Sequence, residues 1–319
     1  MDRFCFVVID YYSISRTIKF IEDLSIKMKN NIQVVVIDNS KSEENFRKLL
    51  ENVNNRFKPC TKVYKNEYIL EYQNLKVIFV NPMINLGFAK GNNFGAEIAK
   101  KYFNHDYLIF SNNDILIKNL NLEEIESVFE EDYQIAILGI KQEDLNGRNQ
   151  NPRRYIGIWR KVIIPNFFSL ILNERLMNLI INDRYNNSYL SEYKMEVDWV
   201  SGAFMIIRQS DFLRVKGFDE NTFLYAEELI ISRKINAIDK KTVYYSKQEI
   251  IHEHGGTTKK QSGTFIQSTN FNSHYYYYEK YVKETNFNLI LAKASFLVHR
   301  KINYKLKLKL KHLVSKIFN

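Results

Sequence analysis

Hydrophobic and polar positions come in blocks along the first part of the chain. Residues 4–9 (FCFVVI), 33–37 (QVVVI), 75–80 (LKVIFV) and 107–111 (YLIFS) are short apolar runs rich in β-branched and aromatic residues, each followed by a polar stretch. They read as strands. Between them, Ile18, Ile21, Leu24, Ile26 and Met28 recur at mostly helical spacing over 17–28, and Phe94, Ile98 and Tyr102 do the same over 94–102. Strand and helix alternating four times within about 115 residues predicts parallel strands joined by crossover helices, with a ligand site beyond the C-terminal strand ends. Further on, the pattern predicts a helix at 121–131 and a strand at 135–140, then an aromatic, basic region over 153–168. From Glu196 it predicts a strand, a helix and a turn, then a second helix opened by Glu227 and Glu228.

Composition narrows the class. A chain of 319 residues with 45% hydrophobic and 26% charged positions can bury a sizeable core, which excludes wholesale disorder. With 11 glycines and 4 prolines it is neither collagen-like nor a linker, and two cysteines do not make a disulfide scaffold or a zinc module. The opening MDRFCFVVID carries an acid at position 2 and reads as a first strand rather than a signal peptide. No apolar run approaches the length of a membrane span, so the expected location is cytoplasmic.

Charge changes the picture at one end. The net charge is +10, yet no acid follows Glu284, while Lys293, Arg300, Lys301, Lys305, Lys307, Lys309, Lys311 and Lys316 do. A near-neutral body argues against a nucleic-acid partner. Leu306, Leu310, Leu313 and Ile317 fall on one helical face with lysines beside them, which points to a peripheral contact of 303–319 with an anionic membrane surface. A solvated helix or an oligomer contact is the alternative.

The candidate chemistry sits in the predicted strand-end loops. Asn85 to Gly95 reads NLGFAKGNNFG, a segment whose glycines permit close backbone approach and whose Lys90 adds a cation near a helix N-terminus, though a purely structural turn has the same composition. Asn112-Asn113-Asp114 could place a carboxylate on a hard divalent cation, or could simply cap a turn. Adjacent Glu227 and Glu228 could repel one another and raise one pKa, yielding a proton acceptor; acids are equally favoured by the dipole of a helix's first turn. His252 and His254, before Gly255 and Gly256, could ligate a metal or donate to a phosphate, or be exposed loop residues.

In order along 4–258, these pieces resemble the inverting nucleotide-sugar glycosyltransferases of family 2: the strand ending in Asp10-Tyr11-Tyr12, VVID up to Asp38, NLGFAKGNNFG, IFSNND, WVSGAFMIIR from Trp199, GFDE from Gly217, FLYAEE up to Glu228, and HEHGGT from His252. The likeness is strongest to bacterial rhamnosyl- and galactosyltransferases of surface-polysaccharide synthesis. It implies an α/β GT-A fold: a mixed, mostly parallel, Rossmann-like sheet flanked by helices, with a basic helical C-terminal extension. The implied domains are a catalytic unit over 1–265, with a nucleotide-binding half (1–118) and an acceptor half (119–265), and an extension over 266–319.

By position, the resemblance implies that Asp10, Tyr11 and Asp38 contact the nucleotide. Lys90, Gly91, Asn92 and Asn112 would lie near the diphosphate, and Trp199, Ser201 and Gly202 would shape the sugar and acceptor pocket. Asp114, with His252 as a further ligand, would hold Mg²⁺ or Mn²⁺. Glu228 would be the general base, with Glu227 the fallback. The implied partners are a nucleotide-sugar donor and a saccharide acceptor, and the basic tail points to a lipid-linked acceptor at the inner face of the plasma membrane. The chain departs from the family pattern in three places: Asn112 replaces the first acid of the D-x-D site, Glu228 replaces an Asp, and Ile230 stands where another acid is common. A non-catalytic nucleotide-sugar or polysaccharide-binding protein with a thinned metal site is the alternative function.

Overall fold

The computed structural model describes residues 3–168, 172–186, 192–253 and 263–317; for Glu174 and for 303–317 it describes the backbone alone. His254, the residues at 255–258 and the side chains of the basic tail therefore lie outside the described residues. In chain order the elements are β1 (Phe4–Asp10), α1 (Ile14–Lys27), β2 (Ile32–Asp38), α2 (Glu43–Arg56), β3 (Thr61–Tyr64), β4 (Glu67–Tyr72), β5 (Leu75–Val80) and α3 (Ala89–Tyr102). There follow β6 (Tyr107–Asn112), β7 (Ile115–Asn119), α4 (Leu122–Glu131), β8 (Ile135–Glu143), a π-helical turn over Trp159–Ile163, α5 (Ile164–Phe168) and α6 (Glu174–Ile180). The last are β9 (Lys194–Glu196), β10 (Phe204–Arg208), α7 (Gln209–Arg214), α8 (Glu227–Asn236), β11 (Lys241–His252), α9 (Gly263–Tyr277), a second π-helical turn over Tyr278–Val282, and α10 (Asn286–Ile317).

The strands form one mixed sheet in the order β3-β4-β5-β2-β1-β6-β10-β8-β11-β7, with β9 paired to β11. Its core, β5-β2-β1-β6, is parallel, as the crossover pattern requires, and β8 pairs parallel with β11. Because successive strand residues face opposite sides, Phe4, Phe6 and Val8 pack with α1, α2 and α4, while Cys5 and Val7 pack with α3, α7 and α8. Both faces are covered, which explains the near-continuous apolar runs. Full burial of each such Val, Ile or Phe contributes roughly 1.5–3 kcal/mol.

The chain divides into two compact units, Met1–Arg154 with Arg184–Thr269, and Tyr155–Asp183 with Asn270–Asn319. The sheet belongs to the first. The second is helical: Phe271 stacks on Phe296 at 4.1 Å, Tyr278 donates to the Ile156 carbonyl at 2.7 Å, and burial drives the His274 imidazole down to about 3. The aromatic, basic stretch at 153–168 thus becomes helical from Trp159 onward.

Helix α3 begins at Ala89, so the second half of the glycine-rich segment is helix rather than loop. A Cβ on Gly95 would lie 2.4 Å from Val7 Cγ1 and 2.6 Å from Ile37 Cδ1, and one on Gly91 would lie 3.0 Å from Ile9 Cδ1. These glycines let α3 press directly onto β1 and β2.

Candidate functional site

A cavity of about 450 Å³ opens at the strand ends of the first unit, within the size range of small-molecule sites. Tyr11, Asn112, Asp114, Ser201, Gly202, Glu227, Glu228 and His252 all line it, so side chains up to 241 residues apart share one space. Each arrives by a definable route. β10 runs antiparallel to β6, and the Asn112 amide donates to the Ala203 carbonyl at 2.8 Å, which sets Ser201-Gly202-Ala203 beside Asn112. β11 pairs antiparallel with β7, His252 opposite Ile115, and this register delivers the imidazole to Asp114.

Asp114 is buried and heavily partnered. Its Oδ1 lies 3.1 Å from His252 Nε2, and its Oδ2 accepts from Arg16 at 3.2 Å. Burial alone would push this carboxyl up, but the His252 ring and the Arg16 cation outweigh it and hold the group below its ordinary value. Asn112 Nδ2 lies 3.4 Å from the same imidazole nitrogen. On the far side of the ring, Gln142 Nε2 faces His252 Nδ1 at 3.2 Å, while Gln142 Oε1 is buried with no partner.

The opposite wall is built differently. Phe88 donates its amide to the Phe223 carbonyl at 2.8 Å, and Gly87, at φ +72°, packs so tightly there that a Cβ would meet that carbonyl at 2.4 Å. The chain then takes two consecutive left-handed residues, Tyr225 (φ 76°) and Ala226 (φ 67°), before α8 starts. Neither is glycine, and such conformations cost on the order of 1–3 kcal/mol each. The result is that Glu227 and Glu228 open the helix at the cavity wall. Glu227 is 3% exposed and its Oε1 has no hydrogen-bond partner; burial first, and Glu228 second, raise its carboxyl well above the usual range. Glu228 is half-buried beside it.

The remaining sequence-predicted residues lie off the cavity lining. Asp10 is fully buried, its Oδ2 accepting from Thr17 at 2.5 Å and its Oδ1 from the Ser13 amide at 3.2 Å, which ties the start of α1 to β1. Asp38 accepts from the Ser40 amide and from Asn45, each at 3.1 Å, and from Asn81 at 3.2 Å; burial raises its carboxyl. Lys90 is exposed and 3.8 Å from Glu220. Gly91 packs on Ile9, and Asn92 is buried with its Nδ2 unpartnered. Trp199 is buried and donates to the Arg154 carbonyl at 3.0 Å.

No family model matches the chain. Over 230 residues it is 25% identical to the rhamnosyltransferase WbbL of Escherichia coli K12, covering 68% of this chain and 82% of that protein. An N-acetylglucosaminyl-diphospho-decaprenol L-rhamnosyltransferase of Mycobacterium tuberculosis is 27% identical over 82 residues, covering 26% of this chain and 27% of that one. Among solved structures, GalNAc-T7 with UDP, GalNAc and Mn²⁺ aligns with 88% of this chain and 49% of its own, at a TM-score of 0.56 and 14% identity.

The fold is GT-A.

Three residues that shape the site carry no motif of their own: Asn39 lines the cavity, while Arg16 and Gln142 act through Asp114 and His252. Asn39 was visible only as part of a polar strand end, yet its Oδ1 accepts from the Leu86 amide at 2.7 Å and its Nδ2 donates to the Gly87 carbonyl at 3.0 Å, holding the glycine-rich turn at the cavity. Arg16 and Gln142 carry no local motif. Their roles come from a register and a helix placement that a single sequence does not display.

Proposed function

We propose that this protein is an inverting glycosyltransferase that moves a sugar from a nucleotide-sugar donor to a hydroxyl of a lipid-linked saccharide acceptor, at the inner membrane face, in bacterial surface-polysaccharide synthesis. The observation that supports this reading most strongly is that Asp114 and Glu228 line one cavity in a GT-A sheet. The names of the similar proteins point to a rhamnosyl donor and a polyprenyl-diphosphate-linked acceptor as the first pair to assay.

In this mechanism Glu228 takes the proton from the acceptor hydroxyl. The oxygen attacks the anomeric carbon, the bond from that carbon to the diphosphate oxygen breaks, and the nucleoside diphosphate departs with both electrons. A single displacement inverts the stereocentre. General-base assistance of this kind contributes typically 10²- to 10⁴-fold. Glu227, whose burial favours the protonated form, is placed to donate rather than accept a hydrogen bond inside the cavity. Tyr11 and Asn39 line the nucleotide side, while Asp10 and Asp38 brace the strand ends that carry them.

The donor set at Asp114 fits Mg²⁺ or Mn²⁺. Asp114 Oδ1 lies 3.1 Å and the Asn112 amide nitrogen 3.4 Å from His252 Nε2, so with that amide turned to present its oxygen the three would act as donors, and a hard cation would complete its shell with oxygens of substrate and water. The orphaned Gln142 Oε1 fits the same picture: with its amide turned over, it accepts from Nδ1–H of His252, which would turn the Nε2 lone pair to a bound ion. Among the described residues no cluster of three His, Cys, Asp or Glu exists, so Asp114 and His252 would hold the ion only together with the donor. Bound there, the metal would neutralise charge building on the leaving diphosphate.

The test is turnover of nucleotide sugars by the parent and by Glu228→Gln. Turnover that falls by two or more orders of magnitude with donor binding intact supports the enzyme. Donor binding without turnover in either protein favours the non-catalytic binding protein, for which the single acid of the metal site speaks.

A further inference from the structure

Helix α10 has two faces, and over 287–302 one of them is exposed among the described residues. Leu289, Ala292, Ser295 and Phe296 point inward, with Phe296 stacked on Phe271 and Ser295 within 3.4 Å of Asn166. On the other side, Phe287 is 69% exposed, Ile290 67% and Leu297 58%, with Ala294 exposed between them. The spacing, three, four and three residues, is that of a single helical stripe. Val298 and Ile302, at 39% and 38% exposure, widen it.

The stripe has a border of one charge. Lys293, Arg300 and Lys301 are exposed along it, and no acid occurs anywhere after Glu284. Lys293 lies over the Tyr275 ring at 4.6 Å and Arg300 over Phe296 at 5.8 Å, so both cations flank the apolar row at the edge of the unit. No helix among the described residues is long and apolar enough to cross a membrane. An apolar row about 24 Å long at 1.5 Å per residue, edged by cations and unable to span, suits a helix lying in the plane of an anionic lipid surface.

We propose that the Phe287–Ile290–Leu297 face of α10 docks on an anionic bilayer, its apolar side chains entering the headgroup boundary while Lys293, Arg300 and Lys301 pair with lipid phosphates. This deepens, and for its purpose rests on, the membrane reading above, but it assigns the contact to the exposed face of α10 upstream of the 303–319 tail.

The experiment is flotation of the full chain with vesicles of phosphatidylcholine alone or with 30% phosphatidylglycerol. Two full-length variants accompany the parent: Phe287→Ser/Ile290→Ser/Leu297→Ser, and Lys305, Lys307, Lys309 and Lys311 each →Gln. Thermal melts confirm that each is folded, and light scattering gives the oligomeric state. The parent should float with the anionic vesicles and far less with the neutral ones. The triple Ser variant should lose partitioning by on the order of 100-fold, three exposed apolar side chains no longer being buried. Unchanged flotation of that variant overturns the proposal, and loss confined to the Gln variant assigns binding to the tail alone. A dimer that the Ser variant dissociates also overturns it, as does a parent that floats with neither vesicle. Turnover on a soluble acceptor is read in parallel: it should be unchanged in the Ser variant, and its absence in a parent that floats defeats the transferase reading while leaving the docking intact.

Discussion

The cavity has two carboxylate corners, and the same functional group is set up in opposite ways at each. At Asp114 an imidazole and a guanidinium within 3.2 Å keep the carboxylate charged despite burial. At Glu227 burial without a compensating cation favours the proton, and the neighbouring Glu228 adds repulsion. In the proposed mechanism one corner would hold positive charge and the other would exchange protons. Two acids pushed apart by their surroundings are how a single site divides electrostatic from acid-base work.

The largest effect that would sharpen this contrast is on turnover. Glu228→Gln is expected to lower kcat by about 10²- to 10⁴-fold with little change in donor affinity, measured by steady-state assay and calorimetry. An equal loss from Glu227→Gln would move the base by one residue. Next comes the metal corner: chelation is expected to weaken donor binding by on the order of 10–100-fold, restored by Mn²⁺ or Mg²⁺, with a titration of donor as the readout.

Smaller effects appear in stability. Gly95→Ala, which forces a Cβ against Val7 and Ile37, is expected to cost about 1–3 kcal/mol in urea unfolding. The two corners should also respond oppositely to pH. Glu227, with its folded pKa raised, favours the native state at pH below the ordinary carboxylate range and withdraws that support as pH rises through its raised value. Glu227→Gln should therefore leave acid stability nearly unchanged and gain about 1–3 kcal/mol at alkaline pH, where the parent buries an unsatisfied charge. Asp114, with its pKa lowered, supports the fold above the ordinary range and loses that support as pH falls through its lowered value. Asp114→Asn should flatten the acid side of the profile.

The parallel core was legible because each strand is buried on both faces, and the apolar runs at 4–9, 33–37, 75–80 and 107–111 all lie inside observed strands. Helix α4 and β8 begin within a residue of their expected starts, since a capping Asn121 and an apolar run mark them locally. The hairpin of β3 and β4 is not legible and β11 is legible only as a strand end at His252: β3 is exposed along its whole length, and β11 interrupts its apolar pattern at Ser246 and Lys247. At the site, the carboxylates carried family-like motifs, whereas the strained Tyr225-Ala226 turn has no glycine to announce it. Glycines at 91 and 95 read as ligand-facing but serve helix-to-sheet contact, because composition does not distinguish a loop from the first turns of a helix.

The most direct measurement is a pair of calorimetric donor titrations, with Mn²⁺ present, on Asp114→Asn and Glu228→Gln alongside parallel turnover. The account predicts a crossed result: the Asp114 variant loses donor affinity, and the Glu228 variant keeps it while losing turnover. If both variants fail at the same step, or neither fails, the two corners do not have separate jobs at one cavity.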